Sequence, residues 1–105
     1  MNKIKAIIKR PDEDYGHVTW ISDTLENLQK TVGGHIEVVA LTKHLVIICN
    51  EDGKLLNLDN NFYLGSRIQD MIVGNAIVCG VDGEEFSDVP IDFTAWKRML
   101  TEWGN

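Results

Sequence analysis

Cysteine and proline are scarce in this 105-residue chain, two of each, and basic residues are outnumbered, ten Lys and Arg against sixteen Asp and Glu. Two cysteines, Cys49 and Cys79, cannot build the multi-bridge framework of a small secreted domain, and without CxxC spacing they give no zinc signature. Each ends an apolar run, LVIIC and IVC, where a free thiol serves as a small buried hydrophobe. The shortage of cations leaves a net charge of −6 and disfavours direct nucleic-acid binding, because phosphates are gripped mainly by clustered Lys and Arg. A partner with a basic surface suits the chain better. No apolar stretch approaches a membrane span in length. The first ten residues interleave three Lys and one Arg with apolar positions, unlike the continuous apolar core of a signal peptide. A cytoplasmic protein without membrane association is expected.

What is present reads as one globular domain over 1–105. Hydrophobic content of 44% and charged content of 25% are ordinary values, and a chain this long buries roughly two-thirds of its unfolded surface. In KIKAIIK (Lys3–Lys9), Ile4, Ala6 and Ile8 alternate against Lys3, Lys5 and Ile7, which predicts a half-buried strand. PDEDYG turns the chain into HVTWI, a second strand and so a hairpin. Asp23 as N-cap with Glu26 three residues on predicts a short helix. Leu25, Leu28 and Val32 share its apolar face, and Gly33 ends it.

The run HIEVVALTKHLVIIC divides at Leu41-Thr42-Lys43 into another hairpin. Glu51-Asp52-Gly53 has the composition of a three-residue hairpin loop returning through Lys54-Leu55-Leu56, and NLDNN (Asn57–Asn61) is a polar bend. MIVGNAIVCGV (Met71–Val81) predicts one central strand with Gly74-Asn75 as a bulge or bend, closed by Asp82-Gly83. Phe93, Trp96, Met99, Leu100 and Trp103 follow helical spacing behind a capping Asp92, a C-terminal helix over about 92–103. The fold class is α+β: a bent, mostly antiparallel sheet of about five or six strands with one short internal helix and a C-terminal helix.

By Gly33-Gly34-His35-Ile36-Glu37-Val38-Val39, then Cys49-Asn50-Glu51-Asp52-Gly53-Lys54, Asn60-Asn61 and Asp70-Met71-Ile72-Val73-Gly74, the chain resembles the domain of unknown function 3846 family. The helix ahead of GGHIEVV, here TLENLQKTV, is also similar to that family's. The resemblance covers about 4–81 and leaves out the last twenty or so residues. It implies a small accessory protein of bacteriophages, prophages or other mobile elements, with no assigned catalytic residues. It further implies a counter-defence or host-takeover role exerted by binding.

Candidate chemistry is sparse. His17, His35, His44, Cys49 and Cys79 show no catalytic spacing, and neither cysteine occupies a glycine-rich or helix-start position that activates a thiolate. A non-enzyme without cofactor or metal is expected. His35 and Glu37, two apart on a strand, share a face and could begin a metal site, but no third ligand accompanies them; a solvated polar stripe is the simpler reading.

The polar rim of Asn50, Glu51, Lys54, Asn60 and Asn61 could hold a small ligand such as a nucleotide signal, although turn chemistry explains the same residues. A deep pocket beside these turns would distinguish the two. Asp12, Glu13, Asp14, Glu84, Glu85 and Asp88 form an acidic set that could gather on one face and steer a basic partner. The leading expectation is a non-catalytic inhibitor of a host or competing macromolecule, such as a nuclease or a CRISPR or restriction component. Sequestration of a nucleotide signal and a structural accessory module are the alternatives.

Overall fold

A continuous apolar run such as LVIICN can be buried at all six positions only if its strand is covered on both faces, and β4 meets that condition. The computed structural model describes residues 2–105. In chain order the elements are β1 (Lys3–Lys9), β2 (His17–Ser22), α1 (Leu25–Val32), β3 (Ile36–Ala40), β4 (Leu45–Asn50), β5 (Asn60–Gly65), β6 (Gln69–Val73), β7 (Ala76–Asp82), β8 (Glu85–Ser87) and α2 (Phe93–Glu102). A six-stranded sheet runs β2-β1-β7-β4-β3, with β8 hydrogen-bonded to β7, and β5 and β6 form a separate pair. Every pairing is antiparallel.

Two apolar clusters sandwich the sheet. On one face, Leu28 and Val32 of α1 pack on Ile4, Ile48 and Ile77. On the other, Trp96 and Leu100 of α2 join Phe62, Leu64 and Ile72 of the small sheet over Ile7, Ile47 and Val78. The domain is thus α+β in three layers. Trp96 is fully buried and donates its indole N–H to the Tyr15 carbonyl at 2.9 Å, which ties α2 to the β1–β2 turn. Its ring meets Phe62 edge-on at 5.4 Å.

Several sequence expectations change here. β1 keeps the expected alternation from Lys3 to Ala6 and loses it beyond, where Ile7 and Lys9 are also buried. Met71–Val81 is two strands: Gly74, at φ 73°, lets the chain leave β6 in the small sheet and enter β7 at the centre of the large one. Strand propensity is uniform through that run, so only the glycine marks the break. Residues 51–57 form consecutive turns rather than a hairpin loop, because β4 pairs on both sides with β3 and β7 and has no vacancy for a returning strand. The short β8 was not anticipated. Leu25 is 57% exposed, outside the apolar face assigned to α1.

The N-cap of α1 is Thr24 rather than Asp23: its hydroxyl accepts from the Asn27 amide at 3.3 Å, and Gly33 closes the helix at φ 81°. Thr24→Ala should therefore cost about 1 kcal/mol in a urea titration, whereas Asp23→Ala should cost a few tenths at most. Equal losses from the two would reassign the cap.

Candidate functional site

Where β4 ends, the chain wraps into the 51–57 turns, with the Gly53 amide donating to the Asn50 carbonyl at 3.2 Å and the Leu56 amide to the Asp52 carbonyl at 2.9 Å. Asn57 takes the left-handed conformation (φ 55°) and the Leu58 amide returns to the Gly53 carbonyl at 3.0 Å. A side chain at Gly53 would sit 2.8 Å from a Val73 methyl, so the turn lies hard against β6. That contact brings Lys54 to Asp70, and their side chains form an ion pair. Between the turn, β3 and β6 opens a cleft of about 150 Å³, lined by Glu37, Cys49, Glu51, Lys54, Leu55 and Asp70, with Asn50 and residues 71–73 completing it.

The cleft is acidic. Lys54 is engaged by Asp70, whose carboxyl is held below its ordinary range chiefly by that hydrogen bond, so Glu37 and Glu51 have no ion-pair partner among the described residues. The Cys49 thiol lies 3.9 Å from the Glu37 carboxylate, and burial first, then Glu37 and Asp70, pushes its pKa up to about 11. A thiol so placed stays protonated and is a poor nucleophile. Leu55, which lines the cleft, is 85% exposed, and the next residue of the turn, Leu56, is 58% exposed.

Of the predicted rim the structure brings Asn50, Glu51 and Lys54 to the cleft, and it adds Glu37 from the His35/Glu37 pair. The carbonyl of His35 accepts from the Glu51 amide at 2.8 Å and the residue is exposed; among the described residues no three or more His, Cys, Asp or Glu converge on a metal position. Asn60 is exposed at the start of β5, paired across to Val73. Asn50 and Asn61 serve the fold. The Asn50 amide donates to the Val32 carbonyl at the end of α1 (3.1 Å) and accepts from the Asp52 amide (2.8 Å). Asn61 donates to the carbonyls of Lys9 and Gly74, each at 2.7 Å, and accepts from the Lys9 ammonium at 2.6 Å.

The antiparallel β1–β7 register separates the acidic set. Asp12, Glu13 and Asp14 follow the Lys9 end of β1, whereas Glu84, in the turn after β7, and Glu85, the first residue of β8, lie at the opposite end of β7. Asp88 accepts from the Lys5 amide at 2.8 Å. Glu13 holds His17 at 3.0 Å in an exposed pair, and Cys79 is fully buried with its thiol pushed up to about 12 by burial. Sequence reasoning missed Asp70 and the two leucines. Asp70 is sixteen residues from Lys54 and carries no local signal. Leu55 and Leu56 stand in the polar context EDGKLLNLDN without strand alternation, which is the sign that they were not a strand.

A second, wider groove of about 490 Å³ lies between the end of α1 and the β6–β7 junction, lined by Arg10, Gly33, Leu58, Asp59 and Asn75 among others. Asn75 donates to the Thr31 carbonyl at 3.2 Å, so α1 ends on two asparagines, Asn50 and Asn75, that satisfy its terminal carbonyls. Gly34 packs so close to Asn50 that a Cβ would lie 2.9 Å from its amide nitrogen.

These features define a three-layer antiparallel α+β domain whose GGH, CNEDG, NN and VGN segments meet around the end of α1 and the β6–β7 crossing. The chain belongs to the family described as Domain of unknown function (DUF3846), whose model matches residues 4–101. The match takes in most of α2, which the sequence resemblance had left outside. No curated protein and no solved structure matched the chain.

Proposed function

We propose that the protein acts without catalysis, by binding a partner protein at the cleft beside the 51–57 turns. The observation that carries this reading is Leu55, 85% exposed where it lines the cleft with Glu37 and Glu51, followed in the chain by a second exposed leucine, Leu56. Exposed leucines in a turn hold no core together, and covering them on a partner is favourable by about 25 cal/mol per Å² of apolar surface. The carboxylates beside them favour a partner element that is apolar and basic. In the setting the family resemblance implies, a phage or other mobile element, that partner is a host or competing macromolecule and the outcome is its inhibition. Thiolate chemistry is disfavoured by both thiols being buried and held protonated. Phosphate ligands fit the cleft poorly, because its one cation is already neutralised by Asp70.

Affinity purification from the host with the native chain, with Leu55→Ser/Leu56→Ser and with Glu37→Lys/Glu51→Lys tests this. The partner captured by the native chain should be lost with the leucine variant, by about 3 kcal/mol or roughly a hundredfold in Kd. The charge variant should bind more weakly and with a flatter salt dependence, and both should melt like the native chain. Equal capture by all three chains rejects the cleft, and a co-purifying nucleotide without any protein partner favours the sequestration alternative.

A further inference from the structure

The six-stranded sheet has two outer strands, and they differ in protection. β3 carries Glu37 and is flanked by the 51–57 turns, whereas β2 (HVTWIS) has no charged residue beyond His17, no proline and an uninterrupted register with β1. Edge strands of monomeric proteins are normally blunted by charge, proline or a bulge. β2 has none of these. It also displays Trp20 and Val18, 58% and 39% exposed, on the α2 side of the sheet, since Val18 is paired with Ile7 and Trp20 with Lys5.

From this edge we propose that the protein is a two-fold dimer in which β2 pairs antiparallel with β2 of a second copy, continuing one sheet through both chains. Charge complementarity selects a second copy as the occupant. The His17 end of β2 adjoins the β1–β2 turn, where Arg10 and His17 both engage Glu13 and leave the exposed Asp12 and Asp14 unpaired among the described residues. At the Ser22 end, register places Lys3 and Lys5 on the neighbouring strand, exposed and likewise without ion pairs among the described residues.

Antiparallel pairing about a two-fold axis sets the acidic end of each β2 beside the basic end of the other, so the same attraction is made twice. A parallel arrangement would set like charges together. Trp20 and Val18 of both copies then meet near the axis on one face, the position in which aromatic residues anchor an interface. Because β3 is the opposite outer strand, the clefts proposed to bind a partner remain open at the two ends of the dimer.

Light scattering on the purified chain, followed by native mass spectrometry of charge-swapped pairs, tests the proposal. The native chain should have twice its chain mass, and Trp20→Lys should weaken association at least tenfold without changing the far-ultraviolet circular dichroism. Asp12→Lys/Asp14→Lys alone and Lys3→Glu/Lys5→Glu alone should each be mainly monomeric, yet mixed together they should form a heterodimer, since both contacts then regain opposite charges. That rescue is indifferent to whether the tryptophan variant folds well. A native monomer at every concentration reached overturns the proposal and leaves the edge to an extended segment of another protein. A dimer unmoved by Trp20→Lys, or charge variants that do not recover on mixing, overturns it equally.

Discussion

Asn61→Ala should lower stability by about 4 kcal/mol, far more than an asparagine near a turn would ordinarily cost. Three groups depend on that one amide. The carbonyls of Lys9 and Gly74 each lose a donor at 2.7 Å, and the Lys9 ammonium loses its acceptor at 2.6 Å, keeping only the Asn61 carbonyl at 3.4 Å and the face of Phe62, whose centroid is 5.7 Å away. Lys9 is buried, and desolvation already lowers its pKa against the opposing pull of Glu13, Asp14 and Asp12, so its charge has little reserve of solvation to draw on. Each carbonyl left without a donor costs on the order of 1 kcal/mol, and the hydrogen bond to the charged group about 2. The diagnostic is coupling: in a Lys9→Met background the same Asn61→Ala change should cost only about 2 kcal/mol, because no buried charge remains to be abandoned. Urea titrations of the four chains would measure it, and strict additivity would remove Lys9 from the account.

Lys9 also shows what a sequence conceals. Lysine at the end of an alternating strand reads as a solvated edge, and its partner lies fifty-two residues away across a boundary between two sheets. Local patterns carried the elements whose signals are themselves local. The β1–β2 and β3–β4 hairpins, the glycine stop of α1 and the apolar spacing of α2 were legible because the turn residues and the periodicity sit inside each element. The split of Met71–Val81 was not, since β6 and β7 are equally apolar and differ only in which sheet receives them.

The candidate site follows the same rule. Glu51 and Lys54 were visible as part of a polar rim and Glu37 only as a strand neighbour of His35, whereas the closure of the cleft depends on Gly53 packing against Val73 and on Lys54 reaching Asp70. Within the segment 50–55, turn and site divide by residue. Asn50 and Gly53 are there for the turn, and their neighbours Glu51, Lys54 and Leu55 are what the turn presents.

Between pH 9 and pH 11 the domain should lose stability at up to about 2.7 kcal/mol per pH unit, about 1.4 from each cysteine. An unfolded thiol releases its proton near 9.0, while in the fold burial holds Cys49 to about 11 and Cys79 to about 12. Within that window the folded chain keeps two protons that the unfolded chain has lost, so rising pH favours unfolding. The stabilisation is fully present below pH 9 and is exhausted for each group as pH passes its folded value. Lys9 acts in the opposite sense: its folded pKa lies below 10.5, so the unfolded chain binds the extra proton and stability from this group grows with pH, offsetting part of the loss. Cys79→Ala should halve the slope even though it lowers stability at neutral pH by opening a small cavity next to Ile48 and Ile77, with which Cys79 shares a core cluster. Chemical denaturation at half-unit steps across the window gives the slope directly, independent of the baseline shift. A slope unchanged in Cys79→Ala would mean that this thiol meets water in the folded chain, and with it the burial of β7 beneath α1 would have to be given up.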